Sequence, residues 1–523
     1  MKPGHTTKYL ILTLLLALGI ASYAQRIIPQ PAEMVAGKGS YTLPAEVTVS
    51  ASAGLDIEAA GLTAYLKETF GLGSRKTSGK AAIRLIRDPS LKTGSEGYSL
   101  TIGKAGVKIE AATNAGAFYG IQSLKQLLYK RGVVVQAAHV TINDRPRFAW
   151  RSYLLDESRY FQGKELVKKV LDEMAMLKLN IFHWHLTDDP GWRIEIDSYP
   201  DLTRIGSKRD STVTGSGPNR RIGKAHSGFY TKAEIREILA YAAARHIKVV
   251  PEIEMPGHSS AAIAAYPWLG VTKQAIRVPT HFGVFQDVYD VSDPRVTTFL
   301  HNVLNEVIDL FPSDIIHIGG DEVRFEQWEN SASVAAYKKK HNLSSSADLQ
   351  IFFTNNMSAY LAGKGKRMMG WNEILGSKIH DYSDTRPVTG KLAPNTIIQF
   401  WKGELDMITD AVSKGYDVVN SYHLFTYLDY SYQSIPLKKS YDFDPVPAGL
   451  DPRYTAKILG SGCQMWGEST PDAAAVYRQT FPRIAAYAEV NWTPAASKNF
   501  EAFSRQLEFF LQRWRSMGIH AGS

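Results

Sequence analysis

The sequence predicts a (β/α)8 barrel preceded by a small α+β domain, and three observations carry that reading. Near Asp144-Arg145-Pro146-Arg147 the pattern changes from short alternating strands to strand then helix, many times over. Eight apolar runs in the second part match the eight parallel strands of a barrel. Acids and tryptophans gather where those runs end, and the C-terminal strand ends form the active face of such a barrel.

Residues 1–24 read as a signal peptide. Lys2 and Lys8 supply the positive end, the run from Tyr9 to Ile20 is apolar, and Ser22-Tyr23-Ala24 is a small-x-small cleavage site. The mature chain is expected to begin at Gln25, in the periplasm or outside the cell. No later stretch is long and apolar, so no internal membrane span is expected. Export permits disulfides, yet Cys463 is the only cysteine, which excludes an intramolecular bridge and any site built from several thiolates. Of the net charge of +9, two units come from Lys2 and Lys8. Arg220-Arg221 and Lys338-Lys339-Lys340 read as solvated surface, so no nucleic-acid partner is expected. The pattern leaves the oligomeric state open.

Residues 25–145 form the first domain. Alternating runs at 82–86 and 107–109 predict short strands. A helix over 114–129 puts Phe118, Ile121, Leu124 and Leu128 on one face. Residues 146–523 form the barrel domain, with strands expected at 148–155, 180–185, 248–254, 314–319, 367–370, 396–400, 417–420 and 458–465. Helical stretches at 164–177, 232–245 and 295–310 separate them, and a last helix is expected at 500–517. The polar segment 207–228, with 270–286, is long enough to form a functional rim. A doubly wound open sheet is the alternative, but no glycine-rich phosphate loop follows any strand.

The strand ends carry the chemistry. The first offers Arg151 to Asp156; the second His183, His185, Asp188 and Asp189; the third Glu252, Glu254 and His258. The fourth ends His317-Ile318-Gly319-Gly320-Asp321-Glu322. Two glycines open the backbone into a loop, and the adjacent carboxylates suit a proton donor beside an acid that stabilises charge elsewhere. Read alone, such a pair is better explained by one acid capping the next helix and the other being solvated. Trp371, Glu373, Trp401, Tyr427, Asp429, Trp466 and Glu468 complete the ring. Several tryptophans among acids at one mouth point to a sugar box, since aromatic faces pack on C–H surfaces while charged groups bind hydroxyls. His183 and His185 read as hydrogen-bonded barrel filling. The rival is a metal-dependent hydrolase using them with His258 and Asp321.

With these motifs the chain resembles the β-N-acetylhexosaminidases of glycoside hydrolase family 20. The likeness runs from Gln30-Pro31 to Ala488-Glu489-Val490-Asn491-Trp492-Thr493-Pro494. It rests on His317 to Glu322, Phe182 to Asp189, Pro251 to His258 and Tyr427-Leu428-Asp429. The resemblance implies exo-acting, retaining removal of terminal β-linked N-acetylglucosamine or N-acetylgalactosamine, without cofactor or metal. The substrate's 2-acetamido group is the implied nucleophile, an exception to the two-carboxylate scheme. Glu322 would be the acid and base, Asp321 would hold the acetamido nitrogen, and Tyr427 its oxygen. Arg151, Asp429 and Glu468 would bind sugar hydroxyls, and Trp371, Trp401 and Trp466 would wall the ring. His258 with Asp188, or with its neighbour Asp189, would support the acid. Glu322 is expected to have a raised pKa from partial burial and the nearby Asp321 charge. The first domain would be an accessory that does no chemistry.

Overall fold

A computed structural model describes residues 27–214, 221–376, 379–380 and 390–523. The expected signal peptide lies outside the described residues. No helix among those described is long and apolar enough to cross a membrane. The chain divides into two compact units, and the division is not a single cut. Ala175–Lys178 and Trp492–Gln512 cluster with the first unit, which otherwise ends at Arg147.

The first unit is built on one mixed sheet. Its strands run in the order Glu33–Thr42, Val134–Asp144, Tyr98–Gly103, Gly106–Ala111, Ile83–Arg87, Glu46–Ala51 and Gly73–Lys76, with Tyr129–Arg131 paired to Val134–Asp144. The two-residue period of a half-buried strand is plain in Tyr98–Gly103, where every second residue is buried. The helix Asn114–Leu127 starts where the Thr113 side chain accepts the Gly116 N–H. It stops before 129 because Leu128 turns extended and Tyr129 enters a strand. A buried ionic cluster sits in this unit. Asp144 accepts from the Tyr98 hydroxyl at 2.6 Å, from Lys178 Nζ at 3.1 Å and from the Trp492 indole at 2.9 Å. The Lys178 and Asp144 side chains are fully buried. This pairing ties the two sequence-distant segments into the unit.

The second unit contains a closed, all-parallel barrel. Its eight strands are Trp150–Asp156, Ile181–His185, Lys248–Glu252, Ile315–His317, Arg367–Trp371, Ile397–Phe400, Asp417–Asn420 and Ile458–Met465, and the eighth pairs with the first to close the ring. The helix Lys232–Ala243 opens on a Thr231–Glu234 capping box. Pro294–Leu310 is capped by Asp293 and buries Val296, Phe299, Leu300, Val303, Leu304, Val307 and Leu310, an apolar stripe at helical spacing.

Inward-facing residues stack in layers, because side chains alternate along each strand. The lower layer is apolar: Trp150, Ile181, Val250, Ile315, Met369, Ile397 and Val419. Two residues on, the middle layer turns polar, with Ser152, His183, Glu252, His317, Gln399 and Ser421 all buried. Hydrogen bonds satisfy part of it, such as Gln399 Nε2 to Ser421 Oγ at 3.1 Å. Above lies an aromatic floor of Leu154, Trp371, Tyr427 and Trp466, with Trp401 and Tyr430 packed against it. Cys463 is buried in the eighth strand.

Lys178→Ala is expected to destabilise the first unit by about 3–5 kcal/mol, since it strands a buried carboxylate. Urea unfolding of the full chain, compared with the wild type, measures it.

Candidate active site

The fourth strand, Ile315–His317, stops short of the expected 319 because Gly319 (φ 66°) and Gly320 (φ 90°) leave the extended region. A Cβ on Gly319 would lie 1.7 Å from Oε2 of Glu254, so this position takes glycine alone. The loop is pinned by Trp371 N–H on the Gly319 carbonyl at 2.9 Å and by Gln350 Nε2 on the Gly320 carbonyl at 2.7 Å. Glu322 follows at φ 51°, and His258 faces it at φ 46°. Such left-handed residues cost roughly 1–3 kcal/mol each and collect at functional sites. The turn aims both acids at one ring nitrogen. His258 Nε2 is 3.6 Å from Asp321 Oδ2 and 3.6 Å from Glu322 Oε2.

Behind His258, the Nδ1 nitrogen is 2.9 Å from Asp189 Oδ2 and 3.3 Å from Asp188 Oδ1. Asp189 is fixed by Ser260, whose N–H and Oγ donate to it at 3.0 and 2.5 Å. The other oxygen of Asp188 is taken by Arg159 at 2.6 Å and His185 at 3.0 Å. Both acids left open by the residue pattern thus stand against His258 Nδ1: Asp189 makes the shorter contact, and Asp188 also anchors Arg159. Burial alone would lower the His258 pKa, but the charge of Asp188 with bonds to Asp188, Asp189 and Asp321 carries it well above the ordinary histidine value.

That charge corrects the expectation for Glu322. Burial pushes its pKa up as anticipated, yet the hydrogen bond and charge of His258 outweigh burial and leave it below the usual glutamate value. The ligand-free protein thus favours the Glu322 carboxylate.

Arg151 is also corrected. Trp150 and Leu154 belong to the inward-facing layers, so Arg151 lies on the opposite face of its strand. Its guanidinium donates to the Phe148 carbonyl at 2.9 Å, near the strand's start. The arginine on the active face is Arg159, beyond the strand end. It pairs with Asp188, approaches Asp156 at 3.4 Å and Glu468 at 3.8 Å, and stacks 5.3 Å over the Trp466 ring.

The other expected residues come together. Trp401 stacks on Tyr427 at 5.9 Å, Trp466 lies 6.0 Å from Tyr427, and Trp371 lies 5.7 Å from Trp466. Asp429 keeps one buried oxygen, Oδ1, that no described residue bonds. Its pKa stands well above the ordinary range through burial and then the charge of Glu468. Glu468 is raised by burial while Arg159 pulls against it.

Beneath the acids stands a group the residue pattern left unassigned. Glu252 lies 3.0 Å from His183 Nε2, 2.6 Å from His185 Nδ1 and 2.9 Å from His317 Nδ1, and accepts the Trp371 indole N–H at 2.7 Å. Burial would raise its pKa, but the three imidazoles hold it well below the usual carboxylate range. Burial lowers His183 to about 4. Against the same burial, Glu252 and Asp188 raise His185 to about 10. His183, His185 and His317 thus surround one buried carboxylate. Glu373 accepts the Trp401 indole N–H on both oxygens, at 3.0 and 2.9 Å. A signal for Arg159 existed: a ligand-binding side chain must lie at or beyond Asp156, the last residue of its strand.

The family model described as "Glycosyl hydrolase family 20, catalytic domain" matches residues 148–495, and the one described as "Glycosyl hydrolase family 20, domain 2" matches 24–145. A Beta-hexosaminidase of Porphyromonas gingivalis is 35% identical over 521 residues, covering 94% of this chain and 64% of the relative. The chain therefore spans somewhat less than two thirds of that relative's length. Among solved structures, a beta-N-acetylhexosaminidase from Bacteroides fragilis superposes with a TM-score of 0.81 at 31% identity, covering 95% of this chain and 97% of that one. A GH20 Exo beta-N-Acetylglucosaminidase from Vibrio harveyi, in complex with N-acetylglucosamine, gives 0.84 at 29% identity, covering 96% and 79%. On the motif loop, the barrel and these matches together, the chain belongs to glycosyl hydrolase family 20.

Proposed function

We propose that the protein is an exo-acting β-N-acetylhexosaminidase that retains anomeric configuration and uses the substrate's own acetamido group as nucleophile. One observation carries the reading. Asp321 and Glu322 are chain neighbours on one loop, and Oδ2 of the first and Oε2 of the second are both 3.6 Å from His258 Nε2. In the two-carboxylate scheme the second carboxylate works from the face of the sugar opposite the acid. Acids that converge on one nitrogen share a side of the pocket, so in this reading the attack on C1 falls to the substrate.

In this reading Glu322 protonates the leaving oxygen and later takes a proton from water. Asp321 accepts the acetamido N–H and stabilises the positive charge that develops as the ring closes. The Tyr427 hydroxyl donates to the acetamido oxygen. Trp371, Trp401 and Trp466 enclose the ring and its methyl group, while Arg159, Asp429 and Glu468 bind hydroxyls. The name of the Vibrio harveyi neighbour and its complex support N-acetylglucosamine as substrate, and we extend the range to N-acetylgalactosamine. We assign the chemistry to residues 146–523, an accessory role to 25–145, and export to a signal in 1–24.

The first test compares aryl β-glycosides of N-acetylglucosamine and glucose after chelator treatment. Release from the first alone is expected; equal rates, or activity only after zinc is restored, would reject the reading. Glu322→Gln should lower kcat by about 10²–10⁴-fold with KM little changed, and Asp321→Ala should remove the preference for the acetamido sugar.

The pH profile follows from His258. Its positive charge favours the Glu322 carboxylate, so protonated free enzyme is lost at low pH. Sugar filling the pocket removes water and favours the neutral acid. The basic limb of kcat is therefore expected at higher pH than that of kcat/KM. Coincident limbs would contradict this.

Arg159→Met should cost about 10–100-fold in kcat/KM, the worth of a charged hydrogen bond. Arg151→Met should leave kcat/KM within about twofold. Kinetics of the two variants, side by side, decide which arginine meets the sugar.

A further inference from the structure

Trp401 follows the sixth barrel strand, Ile397–Phe400, while Asn372 and Glu373 follow the fifth, which ends at Trp371. A single 3-10 segment, Asn372–Leu375, carries both residues and stops at Gly376, φ 73°. Its first two side chains tie the two strand ends together. Asn372 Oδ1 accepts the Trp401 backbone N–H at 3.0 Å, and its Nδ2 donates to the Lys402 carbonyl at 2.9 Å. Glu373 accepts the Trp401 indole N–H on Oε1 at 3.0 Å and on Oε2 at 2.9 Å. Asn372 thus holds the backbone of Trp401, and Glu373 holds the edge of its ring.

Trp401 needs such a hold more than its neighbours do. Trp371 is 1% exposed and closely enclosed, whereas Trp401 is only partly buried. The outer torsion of a tryptophan has a broad minimum, so a ring packed on one face is free to pivot unless its edge is bonded. Its face lies parallel to Tyr427, 7° between the planes and 5.9 Å between the centres. The acid that fixes the edge is itself fixed. Glu373 Oε1 is 3.0 Å from His380 Nε2, and His380 Nδ1 is 3.2 Å from Lys402 Nζ. An ammonium group only donates, so Nδ1 accepts and the ring proton sits on Nε2, facing Glu373. Lys402 adjoins Trp401, and the circuit closes on the residue it holds.

We propose that Glu373 is the positioning residue of Trp401 and, through it, sets how long an N-acyl group the sugar pocket accepts. The proposal rests on the reading of Trp401 as a wall of that pocket and of Tyr427 as the partner of the acetamido oxygen. A ring held at its edge keeps its place beside Tyr427, so the room next to the acyl carbonyl stays the size of a methyl group. Glu373 acts through Trp401 alone and takes no part in the bond changes.

The test is the ratio of kcat/KM on aryl β-glycosides of N-acetyl- and N-propanoylglucosamine. Wild type should favour the acetyl sugar by about 10-fold or more, the worth of one misplaced methylene. Glu373→Leu removes the acceptor and should bring the ratio to within about threefold of one, chiefly by slowing the acetyl sugar about 10-fold. Glu373→Gln keeps an oxygen able to accept from both the indole and His380, as Oε1 does now, and should preserve most of the preference. In a Trp401→Phe background, which has no N–H to hold, the Leu change should not alter the ratio further. A general loss of structure would slow both sugars equally and leave the ratio intact. That result, a wild type without preference, a Gln variant as permissive as Leu, or an undiminished Leu effect beside Phe would each overturn the proposal. Should Glu373→Leu fail to fold, the wild type decides by NMR. The indole N–H signal that vanishes in Trp401→Phe should exchange slowly with deuterium, and rapid exchange would reject the bond. An enzyme inactive on the acetyl sugar would end the functional reading and the specificity claim with it, while the indole signal still reports on the Glu373–Trp401 bond.

Discussion

Glu252 stands in the centre of the barrel with its carboxylate between three imidazoles and an indole N–H, at 2.6 to 3.0 Å. His183 and His185 come from the second strand, Glu252 from the third, His317 from the fourth and Trp371 from the fifth. Desolvating a carboxylate this deeply costs several kcal/mol unless every lone pair is engaged. The four strand ends must therefore hold their relative heights, and the aromatic floor above them inherits that register. From the same group a chain of alternating charge leads outward: Glu252, His185, Asp188, Arg159. Arg159 in turn lies against Trp466 and near Glu468.

A second constraint is the backbone of the acid loop. Glycines 319 and 320 and residues Glu322 and His258 all have positive φ, and they flank or face Asp321. Without that turn the fourth strand would continue, and Asp321 and Glu322 would point to opposite faces. The left-handed bend instead brings both acids to His258 Nε2. Strain is thus spent on a single geometric result, two acids on one side of a pocket, and the surrounding hydrogen bonds hold it there.

Electrostatics then divides the acids by surroundings and not by type. Glu252, ringed by imidazoles, is held ionised, and Glu254, two residues later and facing other acids, is pushed the opposite way. Asp188 is drawn far below the carboxylate range because Arg159 and His258 outweigh its burial. Asp429 is raised, with burial the main cause. A charged His258 between Asp189 and the Asp321–Glu322 pair lets one residue tune Glu322, with Asp189 and Asp188 beside its other nitrogen.

The residue pattern by itself determined the strand-and-helix alternation, the eight barrel strands to within a few residues, and the acid pair with its ring of tryptophans. These are legible because burial and strand period act locally and leave marks at fixed spacing. Tertiary structure decided what depends on distance and direction. It put Arg159 at the site and left Arg151 on the outer face, a matter of strand parity and of which residue clears the rim. It set both Asp188 and Asp189 against His258, the second at the shorter distance, and gave Asp188 alone the pairing with Arg159. It reversed the expected shift of Glu322, because the charge that prevails comes from His258, which lies beyond a different strand. It also drew Ala175–Lys178 and Trp492–Gln512 into the first unit. Each of these rests on groups brought within a few ångströms by the fold, and no spacing along the chain encodes such a distance.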